Sequence, residues 1–303
     1  MSQLQTLLPQ PAESQSFFTL AAMEAGRLVL PGTLYVDPCP ATTPKWEIPS
    51  LAFLLRHSST GDYFLLDLGI RKDHDKLPPA TVRMMKEYAP ITVERDIAER
   101  LKEGGLDPAA VKHVCLSHAH FDHIGDPELF PSSTFVVGGP TRGLLQNGFP
   151  ADPEAGIASA LLPPARTVFL EDDDARWAPL GPFERALDFF GDGSLFIVEA
   201  LGHMPGHVNV LARTSVDGAW VYLAGDSAHD WRLVEGTAKV AELHCADGVV
   251  LCGHGNKVQA ERHIGRIAEL MKVPRVRVML AHDLPWWEEN KASGMWPMEM
   301  PSL

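Results

Sequence analysis

Residues 117–126 read SHAHFDHIGD, so that His118, His120, Asp122 and His123 place four metal-ligand side chains within six residues. Imidazole and carboxylate are the usual ligands of a catalytic divalent cation, and such a site needs several of them converging with a position left open. In an extended loop His118 and His120 point the same way, whereas the adjacent Asp122 and His123 must diverge. That divergence suits two metals rather than one. A strand is predicted at residues 111–116, so the cluster stands on the loop leaving a strand's carboxyl end, where α/β folds commonly carry their chemistry.

Outward from this loop, residues 50–56 (SLAFLLR) and 63–68 (YFLLDL) are apolar runs joined by a turn-rich connector, a β-hairpin pattern. Residues 93–103 space Val93, Ile97 and Leu101 on one helix face and stop at Gly104-Gly105. Further strands are predicted at 134–137, 195–200, 208–212, 220–224, 248–252 and 276–281, with helices at 141–146 and 258–271. Hairpins mixed with crossovers predict an α/β fold of the αββα kind, two packed sheets with helices on their outer faces. The expected organisation is a single domain over residues 1–303, with an insertion at 148–193 rich in Pro, Asp and Gly and a C-terminal tail at 284–303.

The remaining ligand candidates share the strand-end setting: Gly206-His207 before a strand, Gly225-Asp226 after one and Ala281-His282-Asp283 after another. With SHAHFDHIGD, GHMPGH at 202–207, LAGD at 223–226 and AHD at 281–283, the chain resembles the metallo-β-lactamase superfamily. Within it the resemblance is to the group with a bridging aspartate, which includes glyoxalase II and the quorum-quenching N-acyl-homoserine lactonases. It looks closest to fungal-type cytosolic hydrolases, through VERDIAERLKEGGLD at 93–107, PSSTFVVG at 131–138 and DFFGDGSLFIVEALGHMPGH at 188–207.

The resemblance implies that His118, His120 and His207 hold one metal, that Asp122, His123 and His282 hold a second, and that Asp226 bridges them. Two divalent ions per chain are implied, with zinc the expected element. A metal-bridging hydroxide would then open a cyclic ester, since metal binding draws the pKa of water from 15.7 towards about 7. The alternatives are a cyclic lactam or carbamate such as benzoxazolinone, and a glyoxalase II-like thioester. A thioesterase needs basic residues for the glutathione carboxylates, and no such cluster stands near the C-terminus. A non-catalytic scaffold of the same fold would be expected to lose ligands.

Asp122 can also accept a proton from the water, and His229 is the second catalytic candidate. Related bacterial lactonases carry tyrosine three residues after the bridging aspartate, where this chain has His229, a group able to bond the carbonyl or protonate the leaving group. The alternative is an ordinary surface histidine, or one that supports a metal ligand from behind. Phe121 and Met204, close in sequence to ligands, are expected with His229 at the substrate. His254 also follows an apolar run and competes with His282 as last ligand, but the Ala-His-Asp pattern favours His282. The resemblance makes His207 the ligand of its motif and leaves His203 behind it. Trp286, Trp287 and Trp296 in the tail are expected to pack on the core rather than cover the pocket.

A formal charge of −13, from 26 Lys and Arg against 39 Asp and Glu, opposes binding to a polyanion, so no nucleic acid partner is expected. Cys39, Cys115, Cys245 and Cys252 include no Cys-x-x-Cys pair, and reduced thiols are expected. The start, MSQLQTLLPQPAESQS, lacks a basic and then apolar leader, and no run has membrane-span length, which predicts a soluble cytoplasmic protein without a membrane partner. A small-molecule substrate is the expected partner, with room left for a homodimer.

Overall fold

The computed structural model describes residues 8–39, 45–245 and 248–303. Residues 1–7, on which part of the leader reading falls, lie outside them. Thirteen segments build the two main sheets: β1 (Phe18–Pro31), β2 (Lys45–His57), β3 (Tyr63–Leu66), β4 (Ile91–Thr92), β5 (Val111–Cys115), β6 (Thr134–Gly138), β7 (Thr167–Leu170), β8 (Trp177–Leu180), β9 (Phe183–Asp188), β10 (Leu195–Glu199), β11 (Val208–Arg213), β12 (Trp220–Leu223) and β13 (Val276–Met279). The seven-stranded sheet runs β4-β1-β2-β3-β5-β6-β7 and the six-stranded sheet β13-β12-β11-β10-β9-β8. β3, β5, β6 and β7 pair in parallel, as do β12 and β13, while the other pairs are antiparallel.

The period of two along each strand makes the layers. On β1, Phe18, Leu20 and Ala22 enter one buried cluster while Met23, Ala25 and Leu28 enter another. The first cluster lies between the sheets, where Phe53, Phe64 and Val136 meet Ile197, Val210, Val221 and Met279. Helix α1 (Pro79–Tyr88) and helix α2 (Ile97–Glu103) cover the outer face of the first sheet, burying Met85, Ile97 and Leu101. Across the second sheet, Ile264, Ile267 and Leu270 are buried on helix α6 (Lys257–Leu270), and Tyr222 Oη on β12 lies 3.2 Å from His263 Nε2. The αββα expectation holds. Among the described residues no helix is long and apolar enough to cross a membrane, and none of the four cysteines is in a disulfide.

Several boundaries differ from expectation for local reasons. Helix α2 begins at Ile97 rather than Val93, because Asp96 accepts from the Glu99 N–H at 2.8 Å while the Glu99 carboxylate accepts from the Asp96 N–H at 3.1 Å. This capping box is worth about 1 kcal/mol and fixes the first turn there. The supposed insertion at 148–193 supplies β7, β8 and β9, so only its first part is an excursion from the sandwich. The expected strand at 248–252 shrinks to Val250–Leu251, paired with Leu243–His244 in a separate ribbon. The tail packs along β1, where Trp296 N–H donates to Ala22 O at 2.8 Å and Trp287 Nε1 donates to Glu24 Oε2 at 2.7 Å.

Candidate metal centre

The loops that carry the chemistry leave β5, β12 and β13, parallel strands whose carboxyl ends place several loops together. After β5 the chain enters α3 (Phe121–Ile124), a single turn that sends Asp122 and His123 in different directions. Ser50 Oγ on β2 donates to the Asp122 carbonyl at 2.5 Å and anchors this turn. Asp226 follows β12, His282 follows β13, and the loop between β10 and β11 brings in His203.

Two overlapping groups result. His118, His120, His203 and Asp226 each offer one atom within 4.8 Å of the others, and Asp122, His123, Asp226 and His282 do the same. All but the half-buried His120 are buried. Asp226 belongs to both groups: Oδ2 lies 3.4 Å from His203 Nε2 and 3.7 Å from His118 Nε2, and Oδ1 lies 3.1 Å from His123 Nε2 and 3.3 Å from His282 Nε2. Asp122 Oδ2 stands 3.4 Å from His282 Nε2.

The outward-facing ring atoms are held by acceptors. His118 Nδ1 lies 3.0 Å from Ser117 Oγ, which donates in turn to Asp67 Oδ2 at 2.8 Å. His123 Nδ1 is 2.8 Å from the same Asp67 oxygen, and His282 Nδ1 is 2.7 Å from Pro49 O. A ring whose Nδ1–H is so engaged presents Nε2 inward, the arrangement that orients metal-ligating histidines. Sequence reading missed Asp67, because it lies on the hairpin far from the ligand loop. Asp67→Ala is expected to weaken metal affinity by 10–100-fold or so, measurable by chelator competition; an unchanged affinity would remove it from the support of the site.

The donor set fits a pair of cations. His118 Nε2, His120 Nδ1 and His203 Nε2 crowd within 3.2 Å of one another, with lone pairs that a cation would satisfy. Buried His123 Nε2 and Asp226 Oδ1 face each other at 3.1 Å without forming a well-aligned hydrogen bond. Burial, joined by neighbouring imidazoles, drives His118 well below the usual histidine range. At His123 burial acts in the same direction, but Asp226, Asp122 and Asp67 outweigh it and hold the ring well above that range. His282 is pushed up to about 10, burial being overcome by Asp226 and Asp122. The two carboxylates Asp122 and Asp226 thus create a demand for positive charge at this place, which a cation held by these ligands would meet.

One expected ligand is placed otherwise. His207 is buried, but its Nδ1 lies 3.0 Å from Ala200 O and its Nε2 accepts from the Asp226 N–H at 3.3 Å. Both ring nitrogens are engaged by main chain, and burial pushes the ring down to about 3. Gly225, at φ +48°, permits this approach, since a Cβ there would sit 2.7 Å from His207 Nε2. His203 therefore takes the position expected of His207. Spacing within GHMPGH could not choose between them, because the turn sets each ring's direction.

His254 joins neither group and stands behind His203, Nδ1 to Nδ1 at 3.3 Å. His229 Nε2 lies 3.1 Å from Asp226 Oδ2. Phe121 is buried in the core cluster beside the ligand loop, and Met204 is half-buried against that cluster.

The profile of the metallo-beta-lactamase superfamily matches residues 46–258, more than half of the chain. The chain belongs to the metallo-β-lactamase superfamily. Among superfamily relatives, gamma-lactamase FDB1 of Fusarium pseudograminearum (strain CS3096) is 33% identical over 235 residues, 73% of this chain and 56% of FDB1. N-acyl homoserine lactonase AttM of Rhizobium radiobacter is 33% identical over 121 residues, 40% of this chain and 43% of AttM. The chain thus spans about half the length of these curated relatives. A crystal structure of a B. thuringiensis AiiA mutant, with N-decanoyl-L-homoserine bound at its active site, superposes with a TM-score of 0.70 at 18% identity, covering 94% of this chain and 99% of that one. This likeness establishes the metallo-β-lactamase fold.

Proposed function

We propose that this chain is a metal-dependent hydrolase with a dinuclear centre, that it opens a cyclic ester, and that zinc is its metal. The observation that carries the reading is Asp226, whose two oxygens face two ligand groups from the middle of a buried cluster. His118, His120, His203 and Asp226 would hold one cation, and Asp122, His123, Asp226 and His282 the other. When bound, such ions supply a water acidic enough to attack at neutral pH and positive charge for the carbonyl oxygen.

The chain's own groups set the rest. Asp122 is held ionised because His123 and His282 outweigh its desolvation, so its carboxylate is available as a proton acceptor. The half-exposed His120 and Met204 mark the side from which a small substrate reaches the buried ligands. No serine or cysteine nucleophile is needed. The second reading, a cyclic lactam or carbamate, is favoured by the wider match to a gamma-lactamase, 73% of this chain against 40% for the lactonase.

The test is a turnover assay of the zinc-loaded protein on N-hexanoyl-L-homoserine lactone, 2-benzoxazolinone and S-lactoylglutathione. Ring opening of the lactone is expected to be fastest. Faster opening of benzoxazolinone would move the substrate class to the carbamate, and inertness towards all three would sink the hydrolase reading.

A further inference from the structure

The donor role expected of His229 is already spent. Its Nε2 faces the ionised Asp226 Oδ2 at 3.1 Å, and a carboxylate oxygen demands a donor, so the ring hydrogen sits on that nitrogen. The remaining Nδ1 is buried without a partner. The Ser117 hydroxyl is likewise committed, to Asp67.

A different side chain, distant along the chain, packs beside the cluster. Tyr35 follows the turn Gly32–Leu34 after β1, and its ring lies against that of His229, centroids 4.2 Å apart and planes tilted by 35°. Gly253 also packs against the ring, where any Cβ would collide with Tyr35 Cδ1 and Cε1. The main chain is pinned as well: Gly253 N–H donates to Leu34 O at 2.9 Å, Ala241 N–H donates to Tyr35 O at 3.3 Å, and Val36–Asp37 pairs with Lys239–Val240. A phenol packed against an imidazole and a glycine main chain is confined, and such confinement is the preorganisation that a catalytic donor requires. Burial first, then the charges of Asp122 and Asp226, push its hydroxyl far above the ordinary tyrosine value, so the O–H stays intact and lies within the field of both carboxylates.

We propose that Tyr35 is a catalytic residue whose hydroxyl donates a hydrogen bond to the substrate's carbonyl oxygen as negative charge develops there, and that His229 is a positioning residue which holds Asp226 and the phenol. The inference rests on the hydrolase reading and deepens it. The oxygen that Tyr35 would meet belongs to any ring ester or carbamate, so its role is common to both substrate classes.

Tyr35→Phe keeps the ring, its stacking and its contact with Gly253 while removing only the O–H. Wild type and variant are loaded with zinc and compared for metal content, melting temperature, kcat and KM on N-hexanoyl-L-homoserine lactone and 2-benzoxazolinone. The variant is expected to hold as much zinc as wild type and to lose about 100-fold in kcat, the effect of deleting one donor to a developing oxyanion. KM should stay within about threefold, since the bond strengthens only in the transition state. A kcat near wild type on a compound that wild type opens would overturn the assignment and leave the hydrolase reading standing. So would a loss of kcat accompanied by loss of zinc, since the tyrosine would then act through the metal groups. A wild-type protein that binds zinc yet opens neither compound and leaves S-lactoylglutathione intact would overturn both.

Discussion

Replacing Asp226 by alanine is expected to leave a protein that cannot retain two metal equivalents and that hydrolyses its substrate about a thousandfold more slowly, a loss near 4 kcal/mol in transition-state stabilisation. The size of the effect follows from position. Oδ1 faces His123 and His282, Oδ2 faces His118, His203 and His229, and the carboxyl is buried. Burial alone would raise its pKa, but His123, His282 and His229 hold it well below the usual carboxylate range. Deleting it takes a ligand from both groups and strips His123 and His282 of the anion that keeps them charged. Breaking a buried charge cluster from one side typically costs 3–5 kcal/mol or so, so the metal-free variant should also melt lower. Metal analysis after dialysis, together with turnover of a substrate opened by wild type, checks both parts. Full metal occupancy in the variant would show that Asp226 does not bridge.

The second large effect separates two histidines four residues apart. His203→Ala is expected to lose the metal of the first group, giving one equivalent per chain, because only His118, His120 and Asp226 remain there. His207→Ala should keep both equivalents and fold less stably, by roughly 1–3 kcal/mol, because Ala200 O and Asp226 N–H lose their buried partner. Metal content and thermal melting of the pair read this directly. The reverse pattern, with metal lost from His207→Ala and retained in His203→Ala, would restore the assignment that the family resemblance implied.

Much of the fold was legible because it rests on short-range pattern. Largely apolar runs of strand length located β2, β3, β5, β6 and β10 to β13, and the periodic 258–271 segment located α6. β1 escaped notice because both of its faces are buried, so no polar alternation marks it. Residues 167–188 read as irregular since the strands there are short, partly exposed and broken by Asp and Pro. Helix α7 (Leu284–Asn290) lay within the segment read as a tail, because a Pro-Trp-Trp sequence gives no helical period.

The sequence by itself determined the strand-end loops and the residue types they present, while the meeting of His118, His120, Asp122, His123, Asp226 and His282 in one centre was what the family resemblance implied. The loops follow from local order along the chain, and the meeting from parallel strands aligning their carboxyl ends. Tertiary structure alone decided which ring of the 202–207 loop turns inward, that Asp67 holds His118 and His123 through Ser117 and directly, and that Tyr35 stands over His229. Such choices depend on which groups claim a nitrogen or close on a ring, and apart from Ala200 those groups lie tens to hundreds of residues away along the chain, where no spacing rule reaches.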